Sequence, residues 1–232
     1  MTVFYEKSIS EGQRHLSEDE SKHCAQVLRK KPGDHVQIFD GMGGLYTVAL
    51  TEVNKRACQF EVVEETHRAQ KPFRLHLAIA PTKNIDRMEW MVEKLGELGV
   101  DEITFLKTEN SERTKLRIDR LERKAVSAMK QSKYPFLTHI NDVRSFKELI
   151  QSTNDSEKWI AHVDHEHSYL GTVAKPNKTT MILIGPEGDF SPREVQESTE
   201  AEFQAVSLGQ TTLRTETAGL AACHLINVIN RF

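Results

Sequence analysis

In Met181-Ile-Leu-Ile-Gly-Pro-Glu-Gly-Asp-Phe-Ser-Pro-Arg-Glu194, a short apolar run passes abruptly into glycine and proline. Met181 to Ile184 has the character of a strand buried on both faces. Gly185-Pro186-Glu187-Gly188 then sets two glycines around a proline, a sharp turn of little bulk whose backbone amides a ligand can approach. Ser191-Pro192-Arg193-Glu194 reads as a helix start, with Ser191 as cap, Pro192 at the first helical position and Glu194 closing a capping box.

A second corner of the same design lies about 20 residues on. Ala205 to Leu208 reads as a strand, Gly209 ends it, and a polar loop leads into Thr215-Glu-Thr-Ala-Gly-Leu-Ala-Ala, whose small residues suit close helix packing. Either corner alone is also what an ordinary strand-to-helix connection needs. Together they place two backbone loops at the carboxyl ends of parallel strands, where α/β folds bind ligands.

Gly185-Pro-Glu-Gly, Leu208-Gly and Leu213-Arg-Thr-Glu-Thr-Ala resemble the S-adenosylmethionine-binding motifs of the SPOUT methyltransferases, and within them the bacterial RsmE family, which methylates N3 of a uridine in 16S ribosomal RNA. The resemblance covers nearly the whole chain. It implies a fold of α/β class: a SPOUT-type parallel sheet with a trefoil knot over roughly 180–232, preceded by a small PUA-like β-barrel. It also implies S-adenosylmethionine as cofactor, 16S ribosomal RNA or the small ribosomal subunit as partner, and a homodimer. Periodicity and spacing carry no sign of a knot, since knots are nearly absent from ordinary folds.

The 232 residues suffice for one large domain or two small ones with a real core. With 38% hydrophobic and 28% charged residues, the composition is that of a soluble globular protein. No apolar run approaches the roughly 20 residues that span a bilayer, so no membrane role is expected. The first residues lack a basic-then-apolar export signal. Cys24, Cys58 and Cys223 are isolated, without metal-ligand spacing, which suits buried thiols in a cytoplasmic protein. A net charge of −3 confines any RNA-binding surface to a local patch.

Residues 1–70 read as a β-rich domain. Val36–Phe39, Leu45–Leu50 and Ala57–Val63 are strand-like, and Ser17 to Arg29 reads as a helix with a capping box from Ser17 to Glu20. In the family this segment is a PUA-like RNA-binding domain, and His23-Cys-Ala-Gln-Val-Leu-Arg29 matches its signature. Arg29-Lys30-Lys31 forms a basic cluster suited to phosphates, although cations at a helix end serve the lysines' positions equally well. His23, Arg29 and Lys30 are the RNA-binding candidates here.

Residues 73–232 alternate strand and helix. Leu75–Ala80, a helix over Asp86–Gly99 and Ile103–Leu106 make a βαβ unit, with its Met and Trp stripe read as core. Lys83 and Arg87 match basic positions of the family, and Thr108-Glu-Asn-Ser-Glu-Arg-Thr-Lys115 resembles its Ser-x-Arg loop, which makes Arg113 a candidate for contact with RNA or the target base. The helix from Asp119 to Lys133 is rich in Lys and Arg. Its Ala128-Met-Lys-Gln-Ser-Lys133 matches the family's Glu-Gln-Ser-Arg in part, leaving Gln131 as a polar RNA contact; Lys130 and Lys133 replace Glu and Arg. His162, His165 and His167, beside Asp164 and Glu166, fit no established metal-ligand spacing, and no metal is expected.

The resemblance implies cofactor contacts from Ile184, Gly185, Pro186, Glu187, Gly188, Leu208, Gly209, Leu213, Thr215 and Thr217, with helix capping as the competing role for Thr215 and Thr217. N3-methylation requires alignment of donor and base, a dry sulfonium and loss of the imide proton. Arg214 is the candidate for stabilising the uracil anion or for gripping the phosphate; Glu187 and Arg113 complete the catalytic candidates. No general base is nominated securely. A ribose 2′-O-methyltransferase of the related branch would carry an Asn-x-Gly-x-x-x-Arg motif, which is missing. A non-catalytic ribosome-assembly protein would have no need of both corners.

Overall fold

The computed structural model describes residues 1–163 and 167–232, which divide into two compact units: Met1–Gln70 with Val126–Leu137, and Lys71–Ala125 with Thr138–Phe232. Residues 126–137 lie within the sequence stretch 73–232 yet pack with the first unit.

The first unit is a four-stranded sheet of β1 (Val3–Tyr5), β2 (His35–Phe39), β3 (Gly44–Glu52) and β4 (Gln59–His67), in that order. β1 runs parallel to β2 and the other neighbours are antiparallel. Alternation along β3 sends Tyr46, Val48 and Leu50 into a core with Phe4, Ile38 and Phe60. Each such side chain contributes about 1.5–3 kcal/mol by leaving water. Pro135 and Leu137 bond to the backbone of Gly43 and Gly41, and Met129 packs on Val3 and Phe39.

The helix read from Ser17 is shorter and differently capped. It is α1 (Glu18–Lys22), continued by a π-helical turn, His23–Val27. Ser17 makes no side-chain cap bond. Glu20 is drawn elsewhere, accepting from the Tyr5 amide at 3.2 Å and from Lys130 Nζ at 2.6 Å, while the Ser17 amide donates to Glu6. Tertiary partners here outcompete the local capping box.

The second unit is an all-parallel six-stranded sheet. Its strands are β5 (Arg74–Ile79), β6 (Glu102–Lys107), β7 (His139–Ser145), β8 (Glu157–Ala161), β9 (Thr179–Ile184) and β10 (Gln204–Val206), ordered β10-β8-β9-β5-β6-β7. Between them run α2 (Ile85–Glu97), α3 (Ile118–Ser132), which carries the chain across the boundary between the units, α4 (Phe146–Ser152), α5 (Leu170–Val173), α6 (Pro192–Glu200) and α7 (Thr215–Asn230). The β5-α2-β6 unit has the parallel pairing its sequence pattern requires.

Helices cover both faces of the sheet. On one side Met181, Leu183, Ala78 and Ile160 meet Phe146 and Leu149 of α4 and Phe203 beyond α6. On the other, Gly219 brings α7 so near that an added Cβ would lie 3.0 Å from Ile79 and 3.2 Å from Leu77. Met88, Met91, Val92 and Leu95 of α2 are fully buried, but Trp90, read as part of that stripe, is 47% exposed. It falls one residue off the apolar arc, where the 100° step per residue turns it outward.

A polar cluster lies among these strands. His76 Nε2 is 2.7 Å from Thr104 Oγ1, and Asn141 Nδ2 donates to Thr104 Oγ1 and to Glu102 at 2.8 and 2.6 Å. Burial holds the His76 imidazole below its ordinary pKa of 6.5, against the opposing pull of Glu102. Cys24, Cys58 and Cys223 are buried free thiols, and burial pushes that of Cys223 up to about 12.

Candidate active site

β8, β9 and β10 end side by side, and the chain leaving β8 and β10 frames a cleft together with the start of α7. It is lined by Ala161, His162 and Val163 from the end of β8, by Val206–Gly209 and Thr211–Leu213 after β10, and by Ala218 of α7. It is shallow: its cavity volume is about 60 Å³, and the rest of the cleft opens to solvent. The lining is mainly aliphatic and backbone. Gly209 has φ +144° and nothing within 4 Å of where a Cβ would stand, so a ligand has access to bare main chain. The Ser207 hydroxyl fixes this loop, donating to the Gly209 carbonyl at 2.8 Å and accepting from its amide at 3.2 Å.

The Gly-Pro-Glu-Gly turn stands beside β9 and is braced from three sides. Thr215 Oγ1 donates to the Gly185 carbonyl at 3.1 Å, tying the start of α7 to the turn. Asn110 Nδ2, from the loop after β6, donates to the carbonyls of Gly188 and Asp189 at 3.2 and 3.0 Å. The Ser191–Glu194 capping box forms as the sequence requires, and the second carboxylate oxygen of Glu194 accepts from the Glu109 amide at 2.9 Å. Asp189, in the left-handed region at φ +58°, accepts from the amides of Val163 at 3.1 Å and Phe190 at 2.8 Å. These bonds fix the turn against the β8 end of the cleft.

Of the cofactor candidates, Leu208, Gly209 and Leu213 line the cleft. Ile184, Gly185 and Pro186 are buried at the end of β9, Glu187 and Gly188 are exposed at the tip of the turn, and none of the five is in the lining. Thr215 is buried and committed to Gly185, while Thr217 is exposed on the first turn of α7.

Arg214 follows the lining residue Leu213, N-caps α7 and is exposed. Glu216 is buried; Arg87 Nε lies 3.8 Å from its Oε1, and its Oε2 has no partner among the described residues. Arg113 donates to the Lys83 carbonyl at 3.2 and 2.7 Å, and Lys83 Nζ pairs with Glu112 at 3.0 Å, so these two candidates share one loop cluster. In the first unit, Arg29 is exposed at φ +51° just after the π-helical turn, a conformation that helix interiors exclude. Lys30 is half-buried, and the His23 ring meets Phe4 edge-on at 6.2 Å. Gln131 is exposed on the last turn of α3.

Sequence reasoning did not single out Asn110, Asp189 or the second role of Glu194, because each acts through main-chain groups far away in sequence. His162, met first as part of a histidine group, lines the cleft instead. Asp164, His165 and Glu166 of that group lie outside the described residues.

Comparison with known proteins agrees with this geometry. The model of the RNA methyltransferase domain matches residues 69–227, and that of the RNA methyltransferase PUA domain matches residues 16–63. The crystal structure of a probable rRNA-methyltransferase from Porphyromonas gingivalis superposes with a TM-score of 0.93 at 40% identity, covering 100% of this chain and 99% of that one. Ribosomal RNA small subunit methyltransferase E from Neisseria gonorrhoeae, solved bound to S-adenosyl methionine, gives 0.89 at 30% identity, covering 99% and 98%. The protein of the same name from Aquifex aeolicus is 29% identical over 226 residues, 94% of this chain and 95% of its own length. A PUA-like first unit, a second unit with this strand order and likeness along the full length make the chain a member of the ribosomal RNA small subunit methyltransferase E family of RNA methyltransferases.

Proposed function

We propose that this protein transfers a methyl group from S-adenosylmethionine to N3 of a uridine in 16S ribosomal RNA, as a cytoplasmic homodimer. The observation that carries the reading is the cleft at the ends of β8 and β10, whose lining of bare main chain and aliphatic side chains suits a nucleoside with a short polar tail. When bound, S-adenosylmethionine would supply a methyl group whose bond to sulfur breaks readily, the sulfonium becoming a neutral thioether.

The chain's own residues have three tasks. Leu208, Gly209 and Leu213 hold the cofactor and keep water from it, and the braced turn from Ile184 to Gly188 sets the adjoining wall. Arg214, exposed directly after Leu213, offers a guanidinium to the negative charge that grows on uracil as the N3 proton leaves. Glu187 and Arg113 belong to loops free to meet the RNA, with Glu187 at an exposed tip and Arg113 held by the Lys83 carbonyl. Thr215 positions the turn, and Thr217 is left for direct contact. Lys83, Arg87 and Gln131 join His23, Arg29 and Lys30 as the RNA-contacting set, with Arg29 presented most openly.

The order of the last strands supports the knot. From β10 at the sheet edge the chain returns to lay α7 against β5 and β9, passing the loops of β8 and β9. The dimer reading rests on Trp90 and Val228, 47% and 57% exposed on helices α2 and α7, which pack together. Three buried free thiols suit a reducing compartment.

The test is methyl transfer. Purified protein with methyl-labelled S-adenosylmethionine is offered naked 16S ribosomal RNA and small subunits lacking the modification, and nucleosides are separated afterwards. Label in N3-methyluridine supports the reading; label in a 2′-O-methylated nucleoside, or none despite cofactor binding, overturns it.

A further inference from the structure

We propose that His162 is a cofactor-binding residue of this chain, accepting a hydrogen bond through Nδ1 from a donor group of the bound nucleoside cofactor. The proposal rests on the methyltransferase reading above and deepens it. Among the described residues, His162 is the one ionisable side chain in the lining of the cleft, beside Ala161, Val163, Val206 and Leu213. Its Nδ1 is buried and has no hydrogen-bond partner among the described residues. A buried ring nitrogen without a partner loses a hydrogen bond that water would supply, so such atoms in native sites point to a ligand or an ordered water.

The other ring nitrogen bears on the role of Nδ1. Nε2 lies 3.5 Å from Asp189 Oδ2, so the carboxylate favours a proton on that nitrogen. With the proton on Nε2 alone, Nδ1 carries a lone pair and can only accept. The ring is also restrained. The His162 amide donates to the Val206 carbonyl at 3.4 Å, and the His167 ring meets it edge-on at 5.8 Å. Asp189 is itself anchored by the amides of Val163 and Phe190. The braced turn therefore reaches a residue of the cleft lining through Asp189.

The cofactor offers two kinds of donor: the amine and hydroxyls of its nucleoside, and the ammonium of its amino-acid part. Calorimetric titration separates them, with S-adenosylhomocysteine and with 5′-methylthioadenosine, which keeps the nucleoside and lacks the ammonium. His162→Leu is expected to weaken S-adenosylhomocysteine about tenfold, the loss of one buried hydrogen bond. An equal loss for 5′-methylthioadenosine places the donor on the nucleoside; a loss for S-adenosylhomocysteine alone places it on the ammonium. His162→Asn sets a carbonyl oxygen near the position of Nδ1 and should keep most of the affinity. In protein carrying ¹⁵N-labelled histidine, the Nδ1 resonance should show an unprotonated nitrogen that shifts on ligand addition. Leu binding as well as the unaltered chain, or Asn binding as poorly as Leu, overturns the inference and leaves the methyltransferase reading intact. Failure of the unaltered chain to bind either ligand overturns both.

Discussion

Thr215 Oγ1 and the carbonyl of Gly185 are 3.1 Å apart, and both are buried, so one hydrogen bond joins the first turn of α7 to the turn that follows β9. Thirty residues separate them in sequence. Thr215→Val preserves shape and leaves the Gly185 carbonyl buried without a donor, which costs about 1–3 kcal/mol. Urea denaturation should show that loss, and Thr215→Ser should restore most of it. A valine variant as stable as the parent would mean that the turn is held by its other braces alone.

Glu194 accepts from two amides with its two oxygens, those of Ser191 and Glu109. Glu194→Gln turns one oxygen into a donor facing a donor. A loss of about 1–2 kcal/mol follows, with faster proteolytic cleavage between Thr108 and Arg113 than in the parent. Cleavage at the parent's rate would show that Asn110 suffices to hold that loop.

The glycines of the two corners should not respond alike. A Cβ at Gly185 would lie 3.2 Å from Asp189 Oδ1 and from the Phe190 ring, whereas at Gly188 it would lie an ordinary 3.5 Å from Asn110. Gly188→Ala should therefore be nearly silent and Gly185→Ala destabilising. At Gly209 space is open but φ is +144°, so alanine strains the backbone by about 1–3 kcal/mol and places a methyl group in the lining of the cleft. Thermal melts should rank Gly188→Ala as the mildest of the three, and calorimetry should find cofactor affinity falling most in Gly209→Ala.

His76 makes the folded state sensitive to acid. Its folded pKa is below the unfolded value near 6.5 because burial disfavours the imidazolium. Above pH 6.5 both states are neutral and the contribution to stability is intact. As pH falls from there toward the folded pKa, the unfolded chain gains a proton that the folded one refuses, and stability declines. His76→Gln should flatten the fall in melting temperature between about pH 7 and 5. An unchanged slope would assign the acid sensitivity to other groups.

Sequence resolved the parts of the fold that are locally encoded. Met181–Ile184 is apolar on every residue because β9 lies in the middle of a parallel sheet, and Ser191-Pro-Arg-Glu194 caps α6 with its own side chains. β7 escaped notice because it is an edge strand whose His139-Ile-Asn-Asp-Val-Arg-Ser145 is mostly polar. β1 is three residues long, and α5 is a single turn. For the site, Leu208, Gly209 and Leu213 were nominated through the family resemblance of their motifs, and they line the cleft. His162 and Asp189 were not, since what joins them is the adjacency of β8 and β9 rather than any spacing along the chain.

The helix begun by Thr215 has a consequence for biosynthesis. A ribosome making this protein has already delivered every strand of the sheet before it adds that residue. Until Gly219 and its neighbours emerge, Leu77 and Ile79 lack the cover that α7 gives them, and the Gly185 carbonyl lacks its donor. A nascent polypeptide that ends before this helix therefore leaves apolar strand surface bare, the kind of surface that favours aggregation during synthesis.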